Sequence, residues 1–319
     1  MEEGNCVFCP ESTEAEPFIQ ARSERLPFSY LKCRGCGLVF LSPRPDDQEM
    51  LPYYAQEYYG QGDHKFHPGL EIFRSFFAWK RVRRVQAFFP GPGKALDIGC
   101  GQGTFLQLLK GEGWECRGTE LTEESAERAS RRGIPVSVGE FDPARFPPHS
   151  FDLISLWHVL EHLRDPRRTL ASLPGLLKRG GVAAISTPNM DSLQAEVGKG
   201  KWFHLDPPRH LYLFSPRTLG RRMESLGFRL VALQHFSMEQ NPYGWLQSLL
   251  NLAGLPENSL YGILKNSPDA RPGSLSPLQK AKALLLAGAL LPHSIYLSVL
   301  MALLHRGGTF EAYFQLGEV

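Results

Sequence analysis

The sequence has almost no excess charge: 35 Lys and Arg against 33 Asp and Glu leave a formal +2 at pH 7. No field of one sign is therefore available to draw the chain onto a nucleic acid, and no nucleic-acid partner is expected. Internal repeats and low-complexity tracts are also missing. Met1-Glu2-Glu3-Gly4-Asn5 has neither the basic region nor the apolar core of a secretory leader, so the expected location is cytoplasmic. Cysteine is scarce, six in 319 residues, and four of the six fall in two pairs. This length suits one large domain with a small one, or two domains.

What is present is, first, a glycine loop. Lys94-Ala95-Leu96-Asp97-Ile98 reads as an apolar strand, Gly99-Cys100-Gly101-Gln102-Gly103 follows with glycine at alternate positions, and Phe105-Leu106-Gln107-Leu108-Leu109 begins an apolar-periodic helix. Glycine turns sharply and leaves no Cβ between main chain and ligand. Such a loop lets a nucleoside-type ligand lie on the first strand–helix turn of an open α/β sheet. The dehydrogenase fingerprint G-x-G-x-x-G is not met, because position 104 is Thr.

Further strands follow in order. Trp114–Glu120 reads as a second strand ending in an acid 17 residues beyond Gly103, where a carboxylate can accept both ribose hydroxyls of an adenosine. Ile134–Val138 is a third, followed by Gly139-Glu140-Phe141, and Phe151–Leu156 is a fourth. Leu176–Ser186 gives a turn and a fifth, Phe228–His235 a sixth and Thr309–Phe314 a seventh.

On Leu96-Asp97-Ile98-Gly99-Cys100-Gly101-Gln102-Gly103, Glu120, Phe151-Asp152-Leu153-Ile154 and Leu177-Lys178-Arg179-Gly180-Gly181, the chain resembles the class I S-adenosylmethionine-dependent methyltransferases. The pieces run in that family's order over roughly residues 93–235. The resemblance implies an α/β fold with a Rossmann-like seven-stranded sheet and S-adenosylmethionine over Gly99, Gly101 and Gly103. It implies the ribose on Glu120 and the adenine near Glu140 and Phe141. The implied cofactor-binding set is Asp97, Gly99, Cys100, Gly101, Gly103, Glu120, Leu121, Glu140, Phe141 and Trp157.

Cys6-Val7-Phe8-Cys9 and Cys33-Arg34-Gly35-Cys36 are two C-x-x-C knuckles separated by 23 residues. Four thiolates satisfy tetrahedral zinc, and so short a segment has too little core to fold well without a staple. A closed, structural zinc ribbon is predicted, with two disulfides as the alternative that a cytoplasmic setting disfavours. Cys100 and Cys116 read as buried, inert thiols.

Between ribbon and core lie Tyr53, Tyr54, Tyr58 and Tyr59, then an amphipathic helix near 70–89. This aromatic-rich segment is expected to pack, or to cover the cofactor. Arg81, Arg83 and Arg84 are expected on the helix's solvated face.

The chemistry is expected beyond the fourth strand, where open sheets place ligands at strand carboxyl ends. There the chain reads Trp157-His158-Val159-Leu160-Glu161-His162. If His158 starts a helical turn, Glu161 and His162 share its face. Asp165-Pro166 then looks like an N-cap and first residue of the next helix. A later loop carries Lys201–Phe214 and His210. Three readings stand for His158, Glu161, His162 and His210. A histidine deprotonates a substrate hydroxyl, which suits a pKa near neutrality. Alternatively Glu161, His162 and His210 hold a divalent metal that polarises the acceptor oxygen. The third reading is structural: Glu161-His162 caps and orients its loop.

Glu161-His162 with a later His resembles the ubiquinone-biosynthesis O-methyltransferases and the small-RNA 2′-O-methyltransferases, in which related positions hold a metal; His158 replaces the first ligand, a Glu, of the RNA enzymes. His210 is the preferred single catalytic residue, because its loop has no obvious packing role. In overall layout the chain looks like bacterial methyltransferases with an N-terminal zinc ribbon, associated with glycan, lipid or secondary-metabolite pathways. Ribbon-bearing relatives that methylate carbon on nucleotide-linked sugars carry Tyr-x-Glu-His near this loop; Asp206-Pro207-Pro208-Arg209-His210 keeps only the His.

Ala283–Leu304 is 22 residues without Lys, Arg, Asp or Glu, long enough to span a bilayer. Strands on both sides of it argue against a single crossing, and Pro292-His293-Ser294 is expected to divide it into a helical hairpin: a lid, a homodimer interface or a peripheral membrane contact at the inner membrane. The expected organisation is ribbon 1–45, aromatic linker and cap helix 46–92, cofactor-binding core 93–235, apolar helical insert 236–308 and last core strand 309–319. The expected reaction is methyl transfer to oxygen of a small molecule, sugar or lipid-linked acceptor. The rivals are C-methylation of a nucleotide-linked sugar, a catalytically inactive scaffold and a nicotinamide-dependent oxidoreductase.

Overall fold

The computed structural model describes residues 1–9, 14–22, 27–50, 53, 68–264 and 275–317, so the cover expected of Tyr54, Tyr58 and Tyr59 lies outside the described residues. The chain divides into two units. The first comprises Met1–Glu71, Pro188–Thr218 and Gln234–Phe310; the second comprises Ile72–Thr187, Leu219–Leu233 and Glu311–Val319. Residues 188–218, which the sequence reading placed within the core, thus cluster with the N-terminal segment and the insert.

The first unit opens with β1 (Ala15–Arg22), β2 (Pro27–Cys33), β3 (Val39–Leu41) and the short helix α1 (Asp47–Met50). β1 and β2 pair antiparallel, with Ala15 opposite Cys33. Period-two alternation turns Phe28 and Tyr30 inward.

The second unit takes all but the first turn of α2 (Pro68–Gln86), then β4 (Lys94–Ile98), α3 (Thr104–Gly111), β5 (Glu115–Glu120), α4 (Glu123–Arg131) and β6 (Val136–Val138). β7 (Phe151–Trp157), α5 (Pro166–Leu176) and β8 (Leu177–Pro188) follow. Asp165 caps α5, its carboxylate accepting from Arg168 N at 2.9 Å with Pro166 in the first turn, as the sequence predicts. The chain then forms α6 (Leu193–Gly198), β9 (Tyr212–Leu213), α7 (Pro216–Glu224), β10 (Phe228–Gln234), α8 (Asn241–Leu252), α9 (Ser259–Leu264), α10 (Pro277–Leu303) and β11 (Thr309–Leu316).

Two sheets result. One has the order β1-β2-β3-β9; the other is seven-stranded, in the order β10-β11-β8-β7-β4-β5-β6. The pairs β4/β5, β4/β7, β5/β6 and β7/β8 are parallel, so strand order reverses on either side of β4. The carboxyl end of β4 is therefore the switch point at which open α/β sheets bind ligands. Val82 and Val85 of α2 pack with Ala95, Leu106, Leu153 and Val182 to fill the second unit's core.

Two expectations are corrected here. Arg81 and Arg84 do not lie on a solvated face: Arg81 Nε reaches Glu311 Oε1 at 3.3 Å and Arg84 Nη1 reaches Glu311 Oε2 at 2.6 Å, on a carboxylate that is 5% exposed. Their i, i+3 spacing puts both on one face of α2, and the last strand supplies the buried acid. Pro292 does not divide the apolar run. α10 is one continuous helix of 27 residues, since a lone proline removes one backbone bond and the turns on both sides remain.

Candidate active site

The glycine loop leaves β4 with φ of 71° at Gly99, 54° at Gly101 and 74° at Gly103, a left-handed path that residues with a Cβ seldom follow. The three glycines meet different surroundings. A Cβ on Gly99 would stand 2.6 Å from Val159 Cγ2, and one on Gly103 2.9 Å from Ala129 Cβ, so these positions are closed by packing. A Cβ on Gly101 would meet nothing within 4 Å. Open space over Gly101 alone marks where a ligand can lie on the main chain.

Glu120 ends β5 beside this space. Its Oε2 accepts from Gly101 N at 2.9 Å and its Oε1 from Thr122 N at 3.2 Å. Burial pushes the carboxyl group's pKa up, and the amides of Thr122 and Gly101 oppose that rise. The Thr122 hydroxyl also donates to Oε1, at a long 3.4 Å, so a ribose hydroxyl would replace that weak bond or take a remaining lone pair of the carboxylate. Leu121, 51% exposed, offers an apolar surface next to it. After β6, Gly139 N donates to Glu120 O at 2.9 Å, which ties the Glu140-Phe141 loop to the end of β5. Glu140 is exposed, and Phe141 stacks on Phe146 at 6.2 Å. Cys100 is partly buried, and burial drives its thiol pKa up, in keeping with an inert thiol.

Asp97 is 2% exposed and accepts from Ser155 Oγ at 2.7 Å. Burial lifts its carboxyl group to about 7; Ser155 and Arg81 oppose the rise and Glu120 adds to it. Trp157, at the carboxyl end of β7, meets Phe105 edge-on at 5.2 Å and carries the Arg81 guanidinium over its ring at 5.1 Å. Its buried Nε1–H has no acceptor among the described residues. Open space at Gly101, the buried Glu120 carboxylate bonded to that residue's amide and an unmatched buried donor at Trp157 fit an adenosine cofactor whose tail carries a carboxylate. Ser155, Arg81 and Glu311 were missed by sequence reading; only the paired arginines of α2 left a signal there.

Beyond β7, His158 does not begin a helical turn. It takes φ 56°, and the turn is a 3₁₀ segment over Leu160–His162. His158 still reaches Glu161, its Nδ1 lying 3.3 Å from Oε1 of a fully buried carboxylate. Glu161 and His162 belong to the second unit and His210 to the first. In the first unit the loop of His210 is packed, contrary to expectation. Trp202, Leu205, Leu211 and Tyr212 are 2% exposed or less, and the Tyr30 hydroxyl donates to Leu205 O at 2.9 Å and His210 O at 2.8 Å. His210 itself is 7% exposed, with Nδ1 2.8 Å from His204 O. A carbonyl only accepts, so Nδ1 carries the proton and Nε2 is the basic nitrogen.

The ligand atoms of Cys6, Cys9, Cys33 and Cys36 all lie within 4.8 Å of one another, and no disulfide joins the six cysteines. Cys6 Sγ and Cys36 Sγ are 3.5 Å apart. Tetrahedral zinc with bonds of about 2.3 Å sets its sulfurs roughly 3.8 Å apart. Burial and the neighbouring Cys36 push the Cys9 thiol up to about 11, and the hydrogen bond to Cys6 raises Cys36 as well. Four crowded thiols suit a dication, which favours the thiolate form.

A family model described as a methyltransferase domain matches residues 72–233, just over half of the chain. A ubiquinone biosynthesis O-methyltransferase from Chromobacterium violaceum is 30% identical over 169 residues, 49% of this chain and 72% of that protein. The one from Thiobacillus denitrificans is 32% identical over 176 residues, 51% of this chain and 75% of that protein. Among solved structures, a SAM-dependent methyltransferase from Archaeoglobus fulgidus is similar with a TM-score of 0.48 and 22% identity, covering 82% of this chain and 99% of that one. The chain belongs to the methyltransferase domain family and is an S-adenosylmethionine-dependent methyltransferase.

Proposed function

We propose that the protein methylates an oxygen of a small molecule, sugar or lipid-linked acceptor, with His210 as the general base. The observation that carries this reading is the hydrogen bond from His210 Nδ1 to the His204 carbonyl, which presents Nε2 as a proton acceptor. The O-methyltransferases of ubiquinone biosynthesis, at 30% and 32% identity, support oxygen as the acceptor atom. S-adenosylmethionine supplies an electrophilic methyl on a sulfonium. The chain's own residues then have to orient the donor and take one proton, and alignment supplies most of the rate. Gly101 admits the cofactor to the main chain, Glu120 fixes its ribose, and Asp97 gives a buried carboxylate near its cationic end.

The test is an acceptor screen over sugars, quinones and lipid extracts, followed by His210→Gln. Turnover should fall at least 100-fold with cofactor affinity unchanged by calorimetry, since base catalysis contributes roughly 10²–10⁴-fold. An active variant would remove His210 as the base. Turnover that needs an added divalent cation would replace the base with the metal reading of Glu161, His162 and His210. We further propose that the four cysteines hold a structural zinc whose closed ligand set leaves no position for water.

A further inference from the structure

α10 is built inside out. Its buried positions are Ala283, Ala287, Ser294, Ser298 and Met301, mostly small and spaced to form one stripe. Ala283 and Ala287 pack with Leu246, Leu250, Leu255 and Leu260 of the same unit. The bulky side chains point the other way: Leu278 is 79% exposed, Leu285 76%, Tyr296 64% and Leu303 73%. Successive separations of 7, 11 and 7 residues bring these four back to one meridian of the helix within about 20°. Water-soluble packing buries large apolar residues, whereas helices against lipid put small residues at helix contacts and large ones outside. The helix is long and apolar enough to cross a membrane, yet only 22% of its most apolar stretch is buried.

We propose that this outer face docks flat onto a bilayer containing anionic lipid. Charge selects that occupant. No acidic residue lies between Asp269 and Glu311, and Lys280 and Lys282 are exposed near the start of α10 with no ion pair among the described residues. At the other end stand His305 and Arg306, the latter paired with Glu196 at 2.6 Å. A second copy packed in parallel through the same face would set Lys280 and Lys282 on their own counterparts, with no acid of the helix between them. Anionic headgroups meet Lys280 and Lys282 favourably, by about 1 kcal/mol per cation near the surface. The serines of the helix are satisfied: Ser294 and Ser298 donate to Leu290 O and Ser294 O at 2.9 and 2.6 Å, and Ser276 and Gln279 form a capping box. The Tyr296 hydroxyl, on the outer face, suits the headgroup level, where its ring can be buried and its polar end stay wet. The helix lies on the membrane rather than through it, because β10 and β11, which flank the insert, are neighbours in one sheet.

The experiment is co-flotation of the full-length, zinc-replete chain with phosphatidylcholine vesicles, with and without phosphatidylglycerol. The wild type should float with the anionic vesicles and be released by high salt. Leu285→Glu/Leu303→Glu should keep its melting temperature and calorimetric cofactor affinity and lose at least tenfold in vesicle binding. Lys280→Glu/Lys282→Glu should lose the preference for phosphatidylglycerol. Wild type that stays with the free protein overturns the proposal. So does a dimer in light scattering that Leu285→Glu/Leu303→Glu dissociates without any vesicle binding in the wild type.

Discussion

The amide of Gly101 donates to the carboxylate of Glu120 across 2.9 Å, so the glycine loop after β4 and the acid ending β5 are one mechanical piece. In the proposed reading these two are the cofactor's floor and its ribose acceptor, already set against each other in the bare chain. Glu120→Ala removes both the acceptor and the amide's partner. A hydrogen bond to a charged group contributes about 1.5–3 kcal/mol, so S-adenosylmethionine should bind roughly 10- to 100-fold more weakly in calorimetry. An unchanged dissociation constant would strip Glu120 of the ribose role.

The glycines of the loop should fail in different ways. Gly99→Ala puts a methyl 2.6 Å from Val159 and should lower stability by about 3 kcal/mol, overpacking added to left-handed strain. Gly101→Ala meets no protein atom and costs only the strain of φ 54°, about 1–2 kcal/mol. It should nevertheless bind cofactor worse than its stability loss explains, because its methyl occupies the open space. Denaturant unfolding alongside calorimetry separates the two, and equal affinity in wild type and Gly101→Ala would place the cofactor elsewhere.

The sheet and the glycine loop were legible because they rest on local signals. Alternating glycines, an acid one strand later and short apolar runs are written within the segments that form them, and Asp165-Pro166 announced its helix in the same way. What could not be read depends on partners distant in sequence. Arg81 and Arg84 look solvated until Glu311, 230 residues beyond Arg81, is set against them. The loop of His210 looks unpacked until Tyr30 of β2 donates to its carbonyls. Pro292 looks like a break because a propensity argument weighs one lost bond and not the turns on either side.

Asp97 gives the fold a pH signature. Its carboxyl group titrates at about 7 in the folded chain against an ordinary value of 3.8. Between those values the folded state holds a proton that the unfolded state releases, so this group's contribution to stability falls as pH rises from about 4 to 7 and is level above. The span is on the order of 4 kcal/mol. Asp97→Asn removes the titration and keeps an oxygen for Ser155. Urea unfolding at pH 5 and pH 8 should show wild type losing stability between the two relative to the variant, and parallel profiles would mean that Asp97 is ionised throughout.

The four cysteines make the most separable prediction. If zinc holds Cys6, Cys9, Cys33 and Cys36, elemental analysis should find one zinc per chain, and Cys33→Ser should release it. The first unit should then lose several kcal/mol, since metal-binding free energy becomes folding free energy where the site does not exist in the unfolded chain. S-adenosylmethionine affinity should survive, because the residues proposed to hold the cofactor, from Asp97 to Trp157, belong to the second unit. Loss of cofactor binding together with zinc would show instead that the ribbon is needed to build the cofactor site. A chain that binds no zinc and melts unchanged on Cys33→Ser would leave the cysteines as packed thiols.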